Sequence, residues 1–223
     1  MTVRLQVPGV PFPLAPSSAD LWQVDEETGA VTVSAPPRTD IFIDPAAAGT
    51  GSAAAGGDAE PNAGSTLNAA TLLGHVPEGD FQLSARVTAG FASAFDAGVL
   101  LLWLDERRWG KLCFEYSPAG EPMIVSVVCR GVSDDANAFV VPGPSVWLRL
   151  SRIDRVYAYH ASLDGRTWQM IRVFRLDEET SRDRIGFDAD VGRRKRLAHH
   201  RLDRGVVVDN QNMGALHYSN CLR

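Results

Sequence analysis

Strand-length segments separated by turn residues constrain the fold of this chain more than any other feature. The segment GDFQLSARVTAGF (79–91) alternates apolar and polar residues, so its apolar side chains share one face of an extended strand. The segment AGVLLLWLD (97–105) is apolar on both faces, which is typical of a central strand in a sandwich. Amphipathic helical periodicity is hard to find along the chain.

Six further segments have the length and composition of strands. Each is short, and most are rich in Val, Ile, Trp, Tyr and Phe: 29–36, 108–117, 122–133, 145–154, 156–165 and 167–176. Turn signals such as PAGEP, PGP and DG separate them. Regularly spaced short strands with this punctuation predict an all-β sandwich of antiparallel sheets.

Two segments depart from the strand pattern. Residues 44–70 are rich in Gly and Ala and nearly uncharged, which predicts a long mobile loop within a sandwich domain spanning 1–190. Residues 191–223 contain RRKRLAHHR, a basic run in a chain whose net charge is −5, and we expect an irregular tail there.

Three interpretations of the basic tail stay open. It is a solvated tail, a nucleic-acid arm, or the product of a shifted reading frame, and the lack of interleaved aromatic residues disfavours the arm. The nucleotides ggcgaaggaagcgcctggctcaccatcgcc encode GEGSAWLTIA in one frame, and RRKRLAHHR once the first two bases are dropped. A turn followed by an alternating strand is what a sandwich needs at this point, and sequencing the gene tests the hypothesis.

The bulk composition excludes several classes of function. The chain has 223 residues, of which 45% are hydrophobic, and we expect a soluble globular domain with a real core. A mildly acidic chain is poorly suited to binding nucleic acid or an anionic membrane. No segment is apolar for long enough to span a bilayer, and the N-terminal residues lack a secretory signal, so we expect a cytoplasmic protein.

Cysteine and histidine spacing predicts neither a metal centre nor a disulfide framework. Cys113, Cys129 and Cys221 are too few and too widely spaced, although a bridge between Cys113 and Cys129 stays open if their strands are adjacent. No cofactor motif is present, and the acidic segment 133–139 is interpreted as an Asp-rich turn rather than a calcium site.

One face of the segment WGKLCFEY combines a tryptophan with charged residues. Strand alternation places Trp109, Lys111, Cys113 and Glu115 on one face. Other predicted strands show the same combination: Trp147 lies with Arg149, and Trp168 with Met170 and Arg172, whereas Arg152 lies on the face opposite Trp147. Aromatic rings and directional charged groups suit the recognition of sugars. The alternative is an ordinary solvated sheet face with a same-face ion pair.

Catalytic patterns are weak. Hydrolysis of a glycosidic bond needs two carboxylates about 5–10 Å apart, and Glu115 with Asp96 or Asp134 is the pair the sequence offers. The segment ASLDGRTWQM (161–170) looks more like an active site, but Asp164-Gly165 predicts a two-residue type I′ hairpin turn. It also resembles the Asp-box of sialidases with one residue missing, a motif whose role is structural.

The order of motifs resembles a known family over residues 21–189. TDIF (39–42) precedes GDFQLSARV, FDAGVLLLWLDERRWGKLCFEYS, VSVVCRGVSDDAN, WLRLSRIDRVYAYHASLDGRTWQMIRVF and IGFDA. This series is similar to the concanavalin A-like family related to the regulation-of-enolase protein, a domain of unknown function. The family's DQAG, WIK and SDW appear here as DAGV, WGK and SDDA, without the aromatic residue after Ser133-Asp134, and its closing SPxGEG turn is absent after Ala189.

The resemblance implies a concanavalin A-like jelly-roll sandwich of two antiparallel sheets and no established activity. As ligand-binding positions it implies Asp96, Trp109, Lys111, Glu115, Arg152, Ser162 and Arg172. The leading hypothesis is a non-catalytic binding or regulatory module for a carbohydrate or sugar-like metabolite, on fold analogy and on the face around Trp109. The alternatives are a glycosidase-like hydrolase using Glu115 with a second carboxylate, and a protein-interaction domain linked to sugar metabolism.

Overall fold

Extended strands make up almost all of the regular structure. The computed structural model describes residues 3–46, 65–76, 78–176, 183–190 and 204–207, with residues 190 and 204–207 described by backbone alone. One short 3₁₀ helix (Ala19–Leu21) lies among the strands. No helix in these ranges is long and apolar enough to cross a membrane. In chain order, the strands are β1 (Ala15–Pro16), β2 (Trp22–Val24), β3 (Ala30–Val33), β4 (Ile41–Phe42), β5 (Thr66–Leu67), β6 (Ala70–His75), β7 (Phe81–Thr88), β8 (Ala97–Asp105), β9 (Arg108–Tyr116), β10 (Pro122–Arg130), β11 (Ser133–Val140), β12 (Ser145–Ile153), β13 (Val156–Ser162), β14 (Gln169–Phe174), β15 (Arg184–Asp190) and β16 (Arg204–Val207).

Two antiparallel sheets of seven strands form a jelly-roll sandwich, which confirms the predicted fold class. The first sheet has the order β1-β6-β15-β8-β9-β10-β11, and the second has the order β14-β13-β12-β7-β16-β3-β2. A separate two-stranded sheet joins β4 to β5. The segment 97–105 is the predicted central strand, since β8 is fourth of the seven in the first sheet.

The core lies between the two sheets and uses every second side chain of the central strands. Leu100 of β8, Leu112 and Phe114 of β9, and Leu148 and Leu150 of β12 belong to one buried apolar cluster. Burying a side chain of this size stabilises the fold by about 1.5–3 kcal/mol. The period-two pattern of the sequence therefore selects which face of each strand is the core face.

The outer face of the first sheet is also apolar and is covered by the chain around β4. Ile41, Ile43 and Leu101 belong to a second buried cluster on this face, together with Trp109. The amide of Ile43 donates to Ser133 Oγ at 2.9 Å, and the amide of Ser133 donates to the Ile43 carbonyl at 2.9 Å. This covering segment is why β8 is apolar on both of its faces.

The segment 44–70 and the tail contribute more strand than the sequence predicted. Within 44–70, the structure describes β5 and the start of β6, while residues 47–64 lie outside the described part. In the tail, Arg204–Val207 form β16, which pairs with both β3 and β7 instead of being irregular. The basic run at 193–201 lies outside the described residues, so its three interpretations stay open.

The turn predicted at Asp164-Gly165 is not a type I′ hairpin. Gly165 has φ +72°, but Asp164 is not in the positive-φ region, and β13 and β14 are separated by residues 163–168. Asp164 Oδ1 accepts the amides of Thr167 at 2.7 Å and Arg166 at 2.8 Å, and these bonds lower the Asp164 pKa to about 2. The pairing of the two strands is antiparallel as predicted, and the motif is structural.

Cys113 and Cys129 lie on the adjacent strands β9 and β10, but the register keeps them apart. Cys113 is opposite Val125, and Cys129 is opposite Trp109. Both cysteines are buried free thiols. The segment predicted as an Asp-rich turn at 133–139 is instead part of the edge strand β11, because it pairs along most of its length with β10.

Candidate functional site

The outer face of β9 carries the residues that the sequence predicted to lie together. Trp109 and Cys113 are buried in the second apolar cluster, with Lys111 between them and Glu115 beyond Cys113 on the same face. The predicted shared face is therefore confirmed. Because the covering segment packs on it, Trp109 is fully buried and is not available to stack on a ligand at the surface.

Lys111 is the buried cation of this face. Its side chain is 5% exposed, and its Nζ lies 2.7 Å from Oδ1 of Asp40, whose side chain is 40% exposed. The ammonium also lies 5.9 Å from the centre of the Trp109 ring. A buried ammonium is costly without a counter-ion, so the contact with Asp40 ties the covering segment to the sheet.

Three more carboxylates, those of Glu115, Asp135 and Asp188, interact electrostatically with the Lys111 ammonium. The register places Asp135 of β11 in line with Val127 and Lys111, and Asp188 of β15 opposite Val99 of β8, so both lie on the outer face. We call the group Asp40, Lys111, Glu115, Asp135 and Asp188 the Lys111 site.

Asp188 is the most deeply buried carboxylate of the site. Its exposure is 0%, and neither carboxylate oxygen has a hydrogen-bond partner among the described residues. Burial raises the pKa of Asp188 to about 7, and the nearby Asp40 charge also raises it, whereas the Lys111 charge lowers it. The protonated, neutral form is therefore favoured in the fold more than in an unfolded chain.

Glu115 is a second carboxyl with a pKa of about 7. Burial is the largest cause, the Lys111 charge opposes it, and the charges of Asp40 and Asp135 add to it. Burial also raises the pKa of Asp135. Near neutral pH the site therefore holds carboxyls in both protonation states, which together accept and donate hydrogen bonds.

Asp96 and Arg152, which the family resemblance implied as ligand positions, have structural partners. The Asp96 carboxylate accepts the amides of Ala92 at 2.8 Å and Ser93 at 2.9 Å, which organises the loop before β8. Arg152 lies on the core face of β12, in the second sheet, and its guanidinium is 2.7 Å from the buried Asp183 carboxylate. Arg152 is therefore not part of the Lys111 site.

Ser162 and Arg172, two more of the predicted ligand positions, also lie outside the Lys111 site. Ser162 Oγ accepts the amide of Gly165 at 2.9 Å in the loop after β13. Arg172 bridges the two sheets with an ion pair of 2.9 Å to Asp134. The prediction that Trp168 and Arg172 share a face is wrong. A β-bulge opposite Tyr159 and His160 shifts the register of β14 and breaks the alternation between the two residues.

On the second sheet, Trp168 contacts a different charged residue. The Arg149 guanidinium lies 3.5 Å from the Trp168 ring centre, and Arg149 Nε donates to Ser84 Oγ at 3.0 Å. Trp147 packs under Gly165 of the loop after β13. Two tryptophans thus support local structure on this sheet.

Sequence reasoning missed Asp40, Asp135 and Asp188. Asp188 had a usable signal, since it is a lone acidic residue in the otherwise apolar strand segment IGFDA. Asp40 and Asp135 had none, because their approach to Lys111 depends on long-range contacts. Of the carboxylates proposed to pair with Glu115, Asp96 serves its own loop and Asp134 binds Arg172. Within the described ranges, no three His, Cys, Asp or Glu residues are arranged to hold a metal ion.

Comparison with known proteins agrees with the resemblance read from the motifs. Regulation of enolase protein 1 of Saccharomyces cerevisiae is 27% identical over 152 residues, which are 67% of this chain and 68% of that protein. A crystal structure of a functionally unknown protein from Saccharomyces cerevisiae matches with a TM-score of 0.63 and 20% identity, over 91% of this chain and 94% of that one.

A xylan β-1,4-xylosidase from Bacillus halodurans shares the fold. The TM-score is 0.61 with 9% identity, over 92% of this chain but 37% of the xylosidase chain. The family model described as "Protein of unknown function (DUF1349)" matches residues 19–200. On that match, this chain is a member of the DUF1349 family.

Proposed function

We propose that this protein is a non-catalytic binding module, and that its ligand is a carbohydrate or sugar-like metabolite bound at the Lys111 site. The observation that carries the proposal is the group of four carboxylates around one buried ammonium, three of them on one sheet face and Asp40 on the segment that covers it. Carboxylates accept hydrogen bonds from hydroxyl groups, and such charge-assisted bonds are about twice as strong as neutral ones. Asp40, Glu115 and Asp135 are the carboxylates with solvent access.

Two relatives lend support at a coarser level. The name of the yeast relative concerns regulation, and the solved xylosidase acts on a sugar polymer while this chain matches 37% of its length. Both observations favour a module that recognises a ligand over one that carries out a reaction alone. Both comparisons support the proposal only by analogy. An experiment should therefore test the residues of the Lys111 site directly.

The test is a glycan array followed by calorimetric titration of the best hit. At pH 8.5, above the Glu115 pKa of about 7, Glu115→Gln keeps the shape of the side chain and removes its charge. We expect affinity to fall by about tenfold, as for the loss of a charge-assisted bond. Glu121→Gln, in the exposed turn between β9 and β10, is the matched control and should bind like the wild type. Equal binding by the Glu115 variant refutes the site. Trp109→Ala is unsuitable, because removing a fully buried tryptophan destabilises the fold.

A second candidate function is hydrolysis of a glycosidic bond. It rests on the pKa of about 7 that burial gives to Glu115, since a carboxyl that stays protonated near neutral pH serves as a general acid. The assay is release of reducing sugar from the array hits. Turnover that is lost in Glu115→Gln supports hydrolysis, and binding without turnover supports the non-catalytic module.

A further inference from the structure

A cavity of about 640 Å³ opens at the end of the sandwich, away from the Lys111 site. The β8–β9 turn at 105–108, the β10–β11 turn at 130–131, and Leu176 line it. Arg108 begins β9, three residues before Lys111 and seven before Glu115, so along the strand this cavity is about 10 Å from Lys111 and about 23 Å from Glu115. A volume of this size accommodates a small metabolite.

Three arginines and two acidic residues, Asp105 and Glu106, line this cavity, and Asp105 neutralises one of the arginines. Arg108 forms an ion pair of 2.5 Å with Asp105 of the same turn. Arg107 and Arg130 form no ion pair with any carboxylate in the described part of the chain. Their guanidinium groups instead contact backbone carbonyls, Arg107 that of Gly131 at 3.5 Å and Arg130 that of Arg175 at 3.4 Å.

The backbone that carries these two arginines is held in place by its own hydrogen bonds. The Gly131 amide donates to the Arg107 carbonyl at 2.8 Å, and the Arg107 amide donates to Asp105 Oδ1 at 2.9 Å. Gly131 has φ +95°, a conformation that favours glycine and sets the path of the second turn.

We propose that this cavity binds an oxyanion of the phosphate type, either free or as the phosphomonoester of a small metabolite. Arg107 and Arg130 supply planar groups of parallel donors that match phosphate oxygens, and contacts to carbonyls do not cancel their charge. The buried, apolar side chain of Leu176 completes the lining of the cavity. The site is independent of the proposed carbohydrate site, because it shares no residue with it.

The test is a nuclear magnetic resonance titration of the ¹⁵N-labelled full chain with inorganic phosphate, and separately with a hexose 6-phosphate, at constant ionic strength set by chloride. The full chain gives the most stringent test. Its sequence places Asp177, Glu178 and Glu179 directly after Leu176, and nearby carboxylates weaken the binding of an anion. We expect saturable shifts at Arg107 and Gly131 with a Kd of about 1–10 mM for phosphate.

The variants Arg107→Gln and Arg130→Gln should each weaken binding by about tenfold, the loss expected for one charged hydrogen-bond donor. Arg86→Gln, an exposed arginine on β7 of the other sheet, is the matched control and should bind like the wild type. Tighter binding of the hexose phosphate identifies a phosphomonoester ligand, and equal binding identifies the free oxyanion. Shifts that do not saturate for either probe, or variants that bind as well as the wild type, overturn the proposal.

Discussion

The buried carboxyl of Asp188 should make this fold less stable as the pH rises from 4 to 7. Its pKa is about 7 in the folded protein against an ordinary value of 3.8, so the folded state binds the proton more tightly than the unfolded chain does. Below pH 4 both states are protonated, and the stability is fully present. It is lost as the pH rises toward 7, because the unfolded chain then ionises and the folded protein does not.

The magnitude follows from the difference between the two pKa values. Each unit corresponds to about 1.4 kcal/mol, so the shift of roughly three units costs about 4 kcal/mol of unfolding free energy at pH 8. Asp188→Asn removes the ionisation and keeps the shape, but its buried amide also lacks partners, which costs about 1–3 kcal/mol. We expect a net gain of about 1–3 kcal/mol at pH 8 and no gain at pH 4.

The assay is urea unfolding followed by tryptophan fluorescence at several values of pH. Glu121→Gln, an exposed carboxylate in the β9–β10 turn, is the control and should follow the wild type at each pH. If Asp188→Asn is less stable than the wild type at pH 8, then Lys111 holds the carboxylate ionised. That result would refute the argument that desolvation dominates at this residue.

Two further predictions concern a tightly packed glycine and a buried ion pair. In Gly186→Ala, the new Cβ would lie 1.9 Å from the Leu72 carbonyl oxygen of the neighbouring strand, so we expect severe loss of folded protein in thermal unfolding. Gly143→Ala meets nothing within 4 Å and should change the unfolding free energy by less than about 0.5 kcal/mol. Asp183→Asn removes the carboxylate charge that lies 2.7 Å from the buried Arg152 guanidinium and should cost about 3–5 kcal/mol in urea unfolding. A double-mutant cycle with Arg152→Met should recover part of this loss, and strict additivity of the two changes would contradict the pairing.

The sequence predicted the sandwich and its core because both follow from local alternation. β8 begins and ends at the predicted residues, and the face shared by Trp109, Lys111 and Glu115 is as the period of two requires. The sequence predicted a structural turn at Asp164 but gave the wrong turn type. The Asp164 carboxylate organises a longer loop than a two-residue turn.

The residues that pack on that face could not be predicted from the local sequence pattern. Ile43 contacts Ser133 across a sequence separation of 90 residues, and Asp40 reaches Lys111 across 71. Alternation places side chains on a face but does not say what covers the face, so Trp109 was expected to be open and is buried. One bulge in the pairing of β13 with β14 likewise sent Arg172 to Asp134 rather than to the side of Trp168.

The sequence by itself therefore determined the strands, their faces and the kind of fold, since each depends on residues one or two positions apart. The tertiary structure alone decided that Asp40, Asp135 and Asp188 gather around Lys111, and that Arg107 and Arg130 share a cavity with Leu176. These groups come from strands and turns distant in the chain. Burial and neighbouring charges shift a pKa only when such groups lie close together in the folded protein. The residue pattern of a single strand does not determine these long-range contacts.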